Sequence, residues 1–234
     1  METARLMGID HVIAGVAPPD LAAAVLAGGL EVVPGGDHTG LGTSNALVGL
    51  AGAYVELIAV RDPAEAAASR FMGSLPALLA DGPAGWVGLA LRTGAPDALA
   101  ARLRDRGHDV ELLPGRRRRL GAPDAHWTMV AVDGPPWGRA RPFAIAWGSA
   151  PVRGAAGGPA LAGVVLEVAD PEAEAAWWCD ALGAVPAPGA DHEVVVGAHR
   201  VALRPGSRGL ARVLVTGIDS PVTLPGGAVL QPAP

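Results

Sequence analysis

The chain contains no lysine; all eighteen of its basic residues are arginine. That absence excludes Schiff-base chemistry and any lysine-linked cofactor such as pyridoxal phosphate. A single cysteine, Cys179, excludes an internal disulfide and removes support for a secreted fold. No basic residue lies near it in sequence and no histidine motif pairs with it, so it reads as an inert thiol. No apolar run approaches the roughly twenty residues of a membrane span. The start, METARLMGIDHV, lacks the charged and apolar regions of a signal peptide. The net charge of −5 gives no support for nucleic acid or an anionic membrane as partner. There is no GxSxG elbow, P-loop, dinucleotide fingerprint or CxxC, so no nucleotide cofactor is expected. The expectation is a cytoplasmic protein, and its excess of Ala, Gly, Pro and Arg points to a GC-rich, bacterial genome.

What is present is a repeat. An apolar strand runs into a Pro-started helix that stops at Gly, with a period of about 75 residues. The strands are Ile9–Val16, Trp86–Arg92 and Leu161–Val168; the prolines are Pro19, Pro96 and Pro171; the glycines are Gly29, Gly107 and Gly183. After the first helix, Ser44–Leu50 and Tyr54–Val60 read as a hairpin. Ala64–Phe71 reads as a connecting helix, and Ala125–Val132 and Arg141–Trp147 as the closing strands of the second copy. The third copy continues with short strands at His192–Val196 and Arg200–Arg204. Leu210–Thr216 and Val222–Gln231 fit the first and last strands of a fourth copy cut short. The chain therefore divides into residues 1–148, a Gly/Pro/Ala linker over 149–159, and residues 160–234.

A βαβββ module used twice to wrap a pocket resembles the vicinal-oxygen-chelate superfamily. IDHV in the first strand, GLGTSN entering the hairpin, YVELIAV in its second strand and RPFAIAW at the end of the second copy are similar to glyoxalase-like domains. The fold this implies is α+β: paired βαβββ modules forming a cupped mixed sheet, followed by a degenerate third module. The resemblance places His11 and Glu56 as metal ligands on the first and last strands of the first module, with one divalent ion of unspecified identity. The second copy departs from the pattern. Trp86 stands about where its histidine belongs, and its last strand carries no carboxylate; the third copy has Gly163 at the first position. His38 and His126 are the candidates for a further ligand.

Other readings stay open. His11 and Glu56 also suit an acid/base pair in a metal-free pocket, or a retained structural pair. His38, Thr43 and Asn45 are candidates for a substrate-orienting rim, against plain turn chemistry. His126 and Trp127 alternate on one strand, so one of them faces the cup. The resemblance favours Trp127 inward, with Trp86, Trp147 and Tyr54 as further wall residues, while Glu56 and His126 are the candidate proton carriers. Arg116–Arg119 reads as a solvated loop or as an attractor of anions. Two functions follow from the resemblance: a metal-dependent lyase, isomerase or dioxygenase, or a metal-free protein that sequesters a small oxygenated molecule. The third module either covers the open sheet edge or replaces the second subunit of a homodimer.

Overall fold

The computed structural model describes residues 5–18, 26–27, 30–80, 85–118, 123–149 and 157–234. A first sheet contains β1 (Leu6–Gly15), β2 (Leu26–Ala27), β3 (Leu30–His38), β4 (Thr43–Leu50), β5 (Ala53–Val60), β6 (Gly85–Thr93), β7 (Val110–Arg117), β8 (Ala125–Val132) and β9 (Phe143–Trp147). Their order is β2-β3-β4-β5-β1-β6-β9-β8-β7. In each unit the first strand pairs parallel with the last, β1 with β5 and β6 with β9, and the two units meet antiparallel at β1 and β6. Parallel pairing demands a crossover; in the second unit it is α3 (Pro96–Arg104). The helix expected between Pro19 and Gly29 lies outside the described residues, except that Leu26–Ala27 are extended and pair with Leu30 and Glu31. The two ends of the sheet curl round until His38 on β3 pairs with Arg117 on β7, which closes the cup.

The second sheet repeats the plan. It holds β10 (Ala160–Val168), β11 (Val185–Pro186), β12 (Glu193–Val196), β13 (His199–Pro205), β14 (Gly209–Thr216), β15 (Val222–Thr223) and β16 (Val229–Pro232). β10 pairs parallel with β13 and antiparallel with β14, and β14 pairs parallel with β16. β14 and β16 are the first and last strands of the shortened fourth copy. The crossover α4 (Pro171–Leu182) starts where the Asp170 side chain accepts from the Ala173 amide at 3.0 Å, a cap that contributes about 1 kcal/mol. It ends at Gly183, whose φ of +71° suits glycine. Of the expected linker, residues 150–156 lie outside the described residues, as does Arg119.

Strand alternation sorts the side chains into two cores. Val12, Val55 and Leu57 on the outer face of the first sheet share one core with Val164, Leu166 and Val213 of the second, with Leu99 and Leu103 of α3 and with Trp178 and Leu182 of α4. Each such side chain contributes about 1.5–3 kcal/mol when fully buried. Ile13, Ile58, Met129, Phe143 and Ile145 face the other way, into the cup. Two short helices, α1 (Pro63–Ala68) and α2 (Leu75–Leu79), form a strap across this inner face and insert Ala66, Phe71, Met72 and Leu75. The strap begins tight against the hairpin: Gly42, at φ +65°, has no room for a Cβ, which would lie 2.4 Å from the Ala66 nitrogen. No helix among the described residues is long and apolar enough to cross a membrane.

Candidate functional site

One wall of the cup is ionic. His11 on β1 donates from Nδ1 to Asp10 at 2.9 Å, and its Nε2 lies 3.4 Å from Glu56 on β5. The Tyr54 ring stacks on the His11 imidazole, centroids 4.6 Å apart. Glu56 accepts from Asn45 Nδ2 at 2.6 Å, and Asn45 in turn accepts from Arg117 at 3.3 Å. His38 sits beside them, Nδ1 2.8 Å from the Thr43 hydroxyl and Nε2 3.6 Å from Glu56. Asp10 also accepts from the Trp147 indole at 3.2 Å.

These groups are buried, and burial disfavours charge. For His11 that cost is outweighed by the hydrogen bonds and charges of Asp10 and Glu56, which raise it to about 9. For Glu56 the opposing effect of burial is outweighed mainly by His11, with His38 and Asn45 adding, and the carboxyl is held down at about 2. His38 goes the other way: burial, with Arg117 and His11 adding, pushes it down to about 4 despite Glu56. At neutral pH the wall therefore holds an imidazolium between two carboxylates, a neutral imidazole, and the Arg117 guanidinium.

The opposite wall is aromatic. Matching β-bulges define which positions correspond. Asp10 is the extra residue where Ile9 pairs with Leu91 and His11 with Ala90; Val87 is the extra residue where Ile13 pairs with Gly88 and Ala14 with Trp86. Ala162 is the extra residue on β10. His11, Gly88 and Gly163 thus hold equivalent places, each eight residues before Pro19, Pro96 and Pro171. Phe143 corresponds to Glu56, since Ala90 pairs with Phe143 as Ile13 pairs with Glu56. A Cβ on Gly88 would lie 3.4 Å from the Trp137 ring. Trp137 donates its indole N–H to Phe71 O at 2.7 Å, and Phe71 packs edge-on against Phe143 and Trp137 at 5.1 and 5.4 Å.

The cavity between the walls is lined by His11, His38, Asn45, Tyr54, Glu56, Trp127 and Trp147 among the sequence-derived candidates; Thr43 reaches it through His38. Two candidates are not there. The bulge at Val87 turns Trp86 to the outer core, so Gly88, and not Trp86, stands at the histidine position. His126 is exposed because its neighbour Trp127 takes the inward place, lying over Gly115, where a Cβ would come within 2.1 Å of the indole nitrogen. Asp10, Phe71 and Trp137 are site residues that the sequence reading passed over, and Arg117 entered it only as one of the Arg116–Arg119 run. Arg117 is only 2% exposed, and alternation along β7 was the signal that could have separated it from the exposed Arg116.

A resident catalytic metal usually has three protein ligands. Among the described residues no three His, Cys, Asp or Glu side chains are arranged to hold one. The positions that would complete the set from the second unit are Gly88 and Phe143, and one Glu56 oxygen already takes the Asn45 amide. The donor set does not fit a divalent ion.

The family profile of glyoxalase-like domains matches residues 9–183. Among solved structures, a hypothetical protein from Staphylococcus aureus aligns with 97% of this chain and 99% of its own at 16% identity and a TM-score of 0.77, so it shares the fold. A methylmalonyl-CoA epimerase from Mycobacterium tuberculosis covers 64% of this chain and 93% of its own at 22% identity and a TM-score of 0.44. A xylose isomerase-like TIM barrel/4-hydroxyphenylpyruvate dioxygenase fusion protein covers 93% of this chain and 38% of its own at 13% identity and a TM-score of 0.49. No curated protein sequence matches the chain.

Proposed function

We infer that this chain, which belongs to the glyoxalase-like domain family, binds an uncharged, planar, oxygen-bearing small molecule in the cup of its first sheet without a metal. One observation carries the reading. In a chain with 4% aromatic residues, the only tyrosine, both phenylalanines and three of the six tryptophans line a single cavity. Such rings favour a flat, π-rich partner. Among the described residues the two carboxylates, the imidazolium and the guanidinium at the other wall balance in charge, which favours a neutral ligand. A ligand hydroxyl or carbonyl has Glu56 as acceptor and His11 Nε2–H as donor within one reach.

The free volume at the centre is ≈ 30 Å³, room for about two water molecules. A ring-sized ligand therefore displaces side chains of the strap, Phe71 and Met72 foremost.

A second reading, a metal-dependent lyase or isomerase, is supported by His11 and Glu56 facing each other and opposed by the donor set. Elemental analysis of protein purified without chelator separates the two. We expect well under one metal per chain, together with melting-temperature rises for phenols and quinones and none for aliphatic diols of similar polarity; a ligand at about 100 times its Kd adds about 2.7 kcal/mol. Stoichiometric metal that disappears in His11→Ala/Glu56→Ala would overturn the metal-free reading in favour of the enzyme.

A further inference from the structure

Residues 133–142, the segment between β8 and β9, carry Trp137 into the cup and are tied at both ends. Inward, the Trp137 indole joins this loop to the strap through Phe71 O. Outward, the anchor is Asp133, held in the left-handed region at φ +54°. Its carboxylate accepts from the Asp109 amide at 3.1 Å, from His108 Nδ1 at 3.0 Å and from Arg141 at 3.1 Å, and its main-chain oxygen accepts from Arg139 at 2.8 Å.

The chain of contacts continues into α4. His108 Nε2 accepts from the Trp177 indole at 3.0 Å. An indole nitrogen can only donate, so this contact fixes the histidine proton on Nδ1, where Asp133 receives it. The Arg141 guanidinium lies 4.4 Å over the Trp177 ring, and its Nε is 3.6 Å from Glu174. Trp177 and Glu174 are three residues apart and share one face of α4. A separate contact on the same helix bypasses the loop: Asp180 receives Arg106 Nε at 3.0 Å on its side chain and Arg102 at 2.8 Å on its carbonyl.

We propose that the third unit anchors the strap. Helix α4, through Trp177 and Glu174, holds the 133–142 loop so that Trp137 keeps Phe71 in the cup, and it thereby sets how often the cup opens. Trp177, Glu174, His108 and Arg141 are positioning residues; none of them lines the cavity. The proposal rests on the ligand reading only for what the open cup admits.

Hydrogen exchange of the ¹⁵N-labelled Trp137 indole, assigned with Trp137→Phe, reports opening directly and needs no ligand. Trp177→Phe keeps the ring and removes the donor, and should speed that exchange about tenfold, on the scale of one lost hydrogen bond. Glu174→Gln, a partly exposed position, should act in the same direction by a smaller factor. Asp180→Asn, which weakens the bypassing contact, should leave Trp137 within twofold of wild type. Unchanged exchange in both Trp177→Phe and Glu174→Gln would overturn the anchor, as would equal acceleration by Asp180→Asn. If the exchange pattern holds while phenol fails to shift the melting of the wild type, the anchor stands and the ligand reading falls.

Discussion

The two walls of the cup are built by the same backbone. His11 and Glu56 on one side correspond, bulge for bulge and pair for pair, to Gly88 and Phe143 on the other. Yet one wall is a desolvated charge network and the other a packed aromatic plug. The repeat therefore fixes where side chains point, and leaves their chemistry to be chosen independently. The strap and the 133–142 loop fill the second wall, where no polar pair stands: Trp137 packs over Gly88 and Phe71 against Phe143.

The walls should fail differently when broken. Glu56→Ala leaves the His11 imidazolium and the Asn45 amide buried with a partner missing, and is expected to cost about 3–5 kcal/mol in urea unfolding. Glu56→Gln, which keeps the size of the side chain, should cost less. Trp137→Ala empties the aromatic wall and should cost about 3–5 kcal/mol by the cavity it leaves. The two losses should show different pH dependence: the cost of Glu56→Ala varies with pH because His11 titrates, and the cost of Trp137→Ala does not.

That difference sets the pH profile of the wild type. His11 is raised to about 9, so its share of stability is complete below about pH 6.5 and is lost as pH rises through 9. His38 is lowered to about 4, so the unfolded chain takes up its proton first, and stability present above about pH 6.5 falls as pH drops through 4. His199, lowered to about 4 mainly by burial, with Arg92 adding, acts in the same acid window. It accepts from the Ile9 amide at 3.0 Å, outside both walls. Urea midpoints measured from pH 4 to 9.5 should form a dome; His11→Gln should flatten its alkaline side, and His199→Gln should reduce its acid slope and leave the part due to His38. The smallest effect is expected at the strap both walls share. Asp62 accepts from the Ala64 and Glu65 amides at 3.0 Å, and Asp62→Ala should cost about 1 kcal/mol in thermal unfolding.

The repeat of strand, Pro and Gly made the paired modules legible, because periodicity and helix stops are local signals. The facing of β1 and β5, which brings His11 and Glu56 together, is implied by the family resemblance of IDHV and YVELIAV and not by the repeat itself. Trp86 was misplaced by a single extra residue, Val87, since a bulge reverses every side chain beyond it. His126 and Trp127 could not be ordered from alternation alone; the space over Gly115 on the neighbouring strand decides it. Arg117 reaches the site only because the sheet closes on itself, and Phe71 meets Trp137 across 66 residues of chain. Alternation can separate Arg117 from Arg116, but the local pattern names neither the partner of Arg117 nor that of Phe71 across the chain.

The closure at His38 and Arg117 also bears on self-association. Sheets recruit neighbours through unpaired rims, and here β3 and β7 of the first sheet meet at one residue pair, reinforced by the Arg118 amide on Asp37 O at 3.0 Å and the Thr39 amide on Arg116 O at 3.1 Å. The second sheet has open rims, and its outermost members β11 and β15 are two residues long, with Pro186 in β11. Short, proline-bearing rims are how β-rich proteins discourage growth into fibres, so the second sheet is guarded by brevity, while the first is pinned to itself at a single pair.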